Sequence, residues 1–534
     1  MSDLEQANWP LLPTLSPRAT AIIVEPFRWI AAVADLAAVI PSQRRNRVSE
    51  SQTWLIAEKE ISANIQNLKV PAAFSLMTIL ILISFFLMSA DYQKRLDNWS
   101  TNKAAQSDNL FSGITSYYRT GDNRAMSMNG NAVSRQPLLR RPLPLSIFAK
   151  GLDSVMERSV TIGDNPLVVP ATSFTFGAMQ EKNRNLLLFA PPDYLYIIKI
   201  ILSLLALFFT YDALVGEKEM GTLKAMLSGA VPRRSVLIGK WLGASLSLVV
   251  PFIVATGIGF IYLLTLRHLT FDTPETYRIL LALATSSLYV LVFVGLGLLI
   301  SAITKTQKTA IASALSIWIL LVLVIPNMSV LIAERMKPLP TLFEHNVQLF
   351  TQARQIEDEA ERVSPSQFTW RGYGTIHDSA GPRIRQMVAQ ADDAFVAERL
   401  GRDRFARTLA RLSPASSFTY AITDLAGTGV SEYQAYLAKL QQARNKQIEI
   451  TNEQKNMIEL DSTDPDSQRK TNEKLKALFD RGKQLEQELH ESLLTPRSPM
   501  QAISDSLPDL ALLIIWAGLL LVFATLAFNR ADVR

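Results

Sequence analysis

Between Tyr211 and Gly243 the chain reads "YDALVGEKEMGTLKAMLSGAVPRRSVLIGKWLG", and the runs flanking it decide the fold. Before it comes "YLYIIKIILSLLALFFT" (Tyr194–Thr210), and after it "ASLSLVVPFIVATGIGFIYLL" (Ala244–Leu264). Each, with its neighbours, reaches the roughly 17–25 apolar residues that a helix needs to cross a bilayer. Two glutamates (Glu217, Glu219) and five basic residues (Lys218, Lys224, Arg233, Arg234, Lys240) therefore interrupt what otherwise reads as membrane.

Applied to the whole chain of 534 residues, the same length test finds six windows: Val70–Ala90, Tyr194–Leu214, Leu242–Leu264, Ile279–Ile303, Ala310–Ile332 and Leu510–Phe528. A buried helix of a soluble core could explain one such window, but not six in one chain. The basic residues orient them. Arg44, Arg45, Arg47, Lys59 and Lys69 precede the first window, Lys305 and Lys308 join the fourth to the fifth, and Arg530 and Arg534 follow the sixth. These groups and the quoted link share one side if both termini are cytoplasmic, while "TFDTPETY" between the third and fourth windows falls outside. The expected fold is an all-α polytopic membrane protein with six transmembrane helices, cytoplasmic N- and C-termini and a largely helical extracytoplasmic domain.

The expected divisions follow from those windows. Residues 1–69 are a cytoplasmic extension with an amphipathic stretch at Trp54–Leu68, and 70–90 are the first span. Residues 91–193 are an irregular outer region, 194–333 hold spans two to five, 334–508 form a large helical outer domain, and 509–534 are span six and the tail. Phe27–Ile40, between Pro26 and Pro41, is too short to span and carries Arg28 and Asp35, which suits an interfacial or partner-packed helix. In the outer domain, Tyr433, Tyr436, Leu437 and Leu440 face Leu475, Leu478, Phe479, Leu485 and Leu489 as a helical hairpin, with Asp461–Ser467 as its turn.

Composition excludes several function classes. A net charge of +6 without a basic stripe gives nucleic-acid binding no support. The chain has no cysteine, hence no disulfide, thiolate metal site or thiol catalysis. Its four histidines (His268, His345, His377, His490) are scattered and form no H-E-x-x-H. Met126 and Met128 carry soft thioethers that suit copper, but two methionines in a loop make no site. No G-x-S-x-G elbow is present. The glycine–lysine pair Gly239–Lys240 is followed by Trp241 and lacks the phosphate-cradling P-loop pattern.

Within the quoted stretch, Thr222 can cap a short helix after Gly221, and Gly229 with Pro232 can end it. Leu223, Met226 and Leu227 sit on one apolar face. A helix so short needs outside support. Acidic entry and basic exit suit a docking element, although an interface-lying turn with positive-inside lysines has the same pattern.

The combination D-x-x-x-G-E-K-E-x-G-T-L, L-S, P-x-R and G-K between two spans resembles the ABC-2 type permeases, membrane subunits of a class of ABC exporters. The matching positions are Asp212, Gly216, Glu217, Lys218, Glu219, Gly221, Thr222, Leu223, Leu227, Ser228, Pro232, Arg233, Gly239 and Lys240. Trp54–Leu68, with Lys59 and Glu60, is similar to the family's elbow helix, and Arg411–Gly429 to the outer segment of a subset with a large extracytoplasmic insert. The resemblance implies that residues 216–229 are a coupling helix docking on a separate cytosolic ATP-binding subunit. The contacts expected there are Gly216, Glu217, Glu219, Gly221, Thr222, Leu223, Met226, Leu227 and Arg233, with the glutamates and Thr222 polar and the three apolar residues as anchors. It further implies no cofactor in this chain, ATP and Mg2+ being bound by that partner. Other implied partners are a second permease copy or paralogue and the lipid bilayer of a bacterial inner membrane, with a periplasmic protein as a candidate for the outer insert. Mechanical work on such a protein, without transport, is the alternative to export.

Overall fold

In the computed structural model the described residues are 50–120, 137–138, 141–153, 160–161, 173–174, 192–228, 231–267, 269–363, 368–371, 374–377, 380–436, 438–439, 442 and 497–530. The expected helix at Phe27–Ile40, most of the 433–489 hairpin with its turn, Met126, Met128, His268 and His490 lie outside them.

Among the described residues six helical segments are long and apolar enough to cross a membrane. They are Lys69–Thr101, Tyr194–Glu219, Arg233–Leu264, Thr273–Ile303, Gln307–Met336 and Pro499–Arg530, and they contain all six windows read from the sequence. Further α-helices lie at the ends of these segments or in the inserts, α2 being the closing part of the second segment. They are α1 (Glu50–Gln66), α2 (Val215–Glu219), α3 (Thr222–Ser228), α4 (Leu342–Val363), α5 (Ala380–Ala410) and α6 (Pro414–Ala426). The fold is helical as expected, with two small antiparallel additions in the inserts. One is β1 (Pro137–Leu138), β2 (Val160–Thr161) and β3 (Ser173–Phe174) in that order; the other is the hairpin β4 (Phe368–Arg371) and β5 (Gly374–His377).

Successive spans run in opposite directions, so the first residue of span one meets the closing part of span two at one end. There Lys69 Nζ lies 3.1 Å from Asp212 Oδ2. This basic end carries α1, α2 and α3. The helix α1 lies along the start of span three, where "GKWLG" presents two glycines one turn apart. A Cβ on Gly239 would stand 2.8 Å from Ile56 Cβ, and one on Gly243 2.7 Å from Glu60 Cβ, so α1 rests directly on the backbone. That close approach is the small-xxx-small packing of membrane helices, and Ala57 of α1 is fully buried in it.

Two spans carry a π turn, at Ile197–Leu202 in span two and Leu320–Val324 in span five, the second directly before Ile325 and Pro326. Trp318 Nε1 donates to Ser203 Oγ at 2.8 Å and Tyr289 Oη to the Lys199 carbonyl at 3.0 Å, pinning spans four and five to span two.

At the opposite end, α6 is sunk among the spans rather than laid over them. Its cap residue Ser413 donates to the Leu321 carbonyl inside the span-five π turn, and Phe418 stacks on Tyr289 of span four with centroids 4.3 Å apart. Thr419 and Thr423 donate back to Ala415 and Thr419 carbonyls within α6, which satisfies hydroxyls taken out of water. Gly427, with φ +73°, ends the helix in the left-handed conformation. Arg407 Nη2 of α5 lies 2.7 Å from Asp424 and 2.9 Å from Asp509 of span six, and Arg411 Nε lies 2.7 Å from Asp509. Burial outweighs the Arg407 guanidinium and holds the Asp424 carboxyl above its ordinary range.

Candidate functional site

The site is built at the basic end, where α2 is held by backbone groups that helix ends leave unpaired. The amides of Leu214 and Val215 both donate to Ser301 Oγ of span four, at 2.9 and 3.0 Å. Lys218 Nζ donates to the Ala302 carbonyl at 2.6 Å, so a cation closes the negative C-terminal end of span four. Glu219 Oε1 accepts from the Gln307 amide at 3.0 Å, placing an anion at the N-terminal end of span five. A Cβ on Gly216 would come within 2.9 Å of Gln307 Nε2, which explains a glycine in this register.

Gly221 separates α2 from α3 with φ +71°, and a Cβ there would meet nothing within 4 Å, so the residue supplies backbone conformation rather than space. Its partner in the turn, Thr222, is exposed, and its hydroxyl reaches the Glu217 carbonyl at 3.4 Å. On α3, Leu223 is 0% exposed, packed with Leu214, Val236, Leu237, Ala302, Ala524 and Phe528, and Met226 rests half-buried on the same cluster. These two residues, expected as anchors for a partner, hold α3 to its own bundle. Leu227 belongs to α3, and Gly229 lies outside the described residues. Arg233 Nη1 donates to the last carbonyls of span six, Phe528 at 3.0 Å and Asn529 at 3.1 Å.

Glu217 also turns inward. Lys240 Nζ of span three, almost fully buried, lies 2.9 Å from Glu217 Oε1 and 3.1 Å from Glu60 Oε2 of α1. One lysine thus ties the elbow, the short helices and a span together. The sequence reading had all three residues, but not their meeting. The signal available was Lys240 between two glycines at helix-packing spacing. Of the predicted residues, the structure gathers Gly216, Glu217, Glu219, Leu223, Met226 and Arg233 into internal clamps. The face left exposed consists of Met220 (69% exposed), Gly221, Thr222, Lys224 and Ser228, bordered by Glu219, which is exposed while its carboxylate holds the Gln307 amide.

A family profile described as "ABC-2 family transporter protein" matches residues 54–533, from the elbow through the last span. The chain belongs to the ABC-2 transporter family. With its six membrane-spanning segments it is a multi-pass member of that family. Over 129 residues it is 31% identical to the "Probable ABC transporter permease protein NosY" of Pseudomonas aeruginosa, covering 23% of this chain and 45% of that one. A protein of the same description from Stutzerimonas stutzeri is 30% identical over 128 residues, again 23% and 45%. The alignments thus span about half the length of these relatives.

Among the described residues no group of three or more histidine, aspartate or glutamate side chains is placed to hold a metal ion. His345 is paired at 3.0 Å with Asp392 and stacked on Phe395 between α4 and α5.

Proposed function

We propose that this ABC-2 permease couples ATP hydrolysis by a separate cytosolic subunit to export across a bacterial inner membrane. The basic end faces the cytoplasm and the inserts face outward, in keeping with the distribution of lysine and arginine in the short links. ATP and Mg2+ are held by the partner. Two permeases, as a homo- or heterodimer, work with two ATP-binding subunits.

The observation that carries this reading is a small exposed edge on a firmly clamped support. Met220, Thr222 and Lys224 face away from the bundle, while Lys218, Leu223, Arg233 and Lys240 fasten the same segment to spans three, four and six. A push on that edge is passed to the span ends instead of bending a loop. Contact and transmission therefore belong to different residues. Met220→Asp with Lys224→Glu should abolish co-purification of the ATP-binding subunit. Glu217→Gln should keep the subunit bound but lower substrate-stimulated ATPase activity. Retention of the subunit by the first variant would defeat the assignment.

A second reading is mechanical work on a periplasmic partner without transport. It is favoured by α5 and α6 being joined to span six through buried Asp509, which links the insert to the bundle. ATP-dependent flux in vesicles, measured against ATP-dependent release of an outer partner, separates the two.

A further inference from the structure

At the basic end a cleft of about 340 Å³ opens between the first and second spans. Its walls are Ala72, Ala73, Leu76, Leu205, Phe208 and Phe209, and Lys69 and Asp212 stand at its rim with Tyr211. The rim is the level of the bilayer headgroups, because Lys69 is the first residue of its span. Leu76 and Phe208 are 44% and 40% exposed, and the apolar surface continues along span one through Ile79, Ile83 and Phe86. The cleft therefore opens sideways to lipid.

The rim pair gives the occupant its chemistry. Lys69 and Asp212 lie 3.1 Å apart and both remain about one-third exposed, at 34% and 29%, so each keeps hydrogen-bonding capacity unused by the other. A purely anionic headgroup would meet the Asp212 carboxylate. A headgroup with a phosphate and a primary ammonium matches both charges at once. The floor, wholly hydrocarbon, suits an acyl chain, and the volume lies within the range of small-molecule pockets. We propose that this cleft binds a zwitterionic phospholipid with a primary-amine headgroup, its phosphate on the Lys69 ammonium and its ammonium on the Asp212 carboxylate, with one acyl chain between the two spans.

The test is native mass spectrometry of the full-length permease, purified and equilibrated with equimolar phosphatidylethanolamine, phosphatidylcholine and phosphatidylglycerol. The wild type should retain phosphatidylethanolamine about tenfold over the others, the scale of one charged hydrogen bond. Phosphatidylcholine has the charge but no N–H donor. Asp212→Asn should reverse the preference towards phosphatidylglycerol, and Lys69→Gln should remove it for every headgroup. Ala72→Trp fills the cleft from an exposed position while leaving the rim pair intact, and should abolish retention of all three. Equal retention of the three lipids by the wild type, unchanged preference in Asp212→Asn, or retention by Ala72→Trp would each overturn the assignment. So would a wild type free of lipid, as expected if a second permease copy covers the cleft. The measurement needs no ATP-binding subunit, so it stands or falls apart from the coupling reading.

Discussion

Lys240 shows how much one side chain can decide. Its ammonium is nearly dry and faces two carboxylates from two other elements, Glu60 of α1 and Glu217 of α2. Removing one partner of such a buried set leaves uncompensated charge, at a cost of about 3–5 kcal/mol. Lys240→Met should lower thermal stability by that order in detergent, and adding Glu60→Gln and Glu217→Gln should restore most of the loss. Failure of the triple variant to recover would mean that the lysine acts through packing alone. Gly221 is the opposite case, a residue at φ +71° whose missing Cβ would point into open space. Gly221→Ala should cost about 1 kcal/mol through backbone strain. Its effect should be read in coupled ATPase activity, with little change in span packing. Both residues are plain in the sequence, but the role of Lys240 was not, because Glu60 lies 180 positions away.

At the scale of elements, α3 has only seven residues and cannot persist alone. Its hold is Leu223, fully buried against four other segments. Leu223→Ala should cost about 2–4 kcal/mol locally. Thiol labelling at an introduced cysteine on α3 should then speed up, and the ATP-binding subunit should be lost. Met220→Ala should leave both labelling and stability unchanged. The amphipathic spacing of α3 was legible from Thr222 to Leu227, as was the need for support. Which body the apolar stripe covers was not legible, since periodicity is the same for a helix facing its own spans and one facing a partner. A similar ambiguity hid α6. Arg411–Gly429 reads as part of the helical outer domain, yet its small and hydroxylated residues let it lie against Tyr289 and Leu321 with its hydroxyls satisfied internally.

For the whole molecule, the two ends are secured differently. The basic end uses charges on helix-terminal carbonyls and amides, and the insert end uses paired arginines and aspartates at α5, α6 and span six. Asp509 is fully buried between Arg407 and Arg411. Asp509→Ala should therefore cost about 3–5 kcal/mol and release the insert to proteolysis while the spans stay folded, a result visible on a gel. Orientation has an equally direct test. The chain contains no cysteine, so Lys224→Cys is a lone reporter. An impermeant maleimide should reach it in inside-out vesicles and not in intact cells.

Chain order and hydrocarbon length were enough to specify six spans, their alternation and the charged break between the second and third. A lipid interior admits few solutions for a long apolar run, because every backbone amide must be paired within the segment. Which charges meet, which leucine faces inward and how deep α6 sits were decided only when the spans packed. Those facts depend on partners well separated in the chain, such as Glu60 and Lys240, 180 positions apart, or Leu321 and Ser413, 92 apart, and distance along the chain carries no record of contact in space.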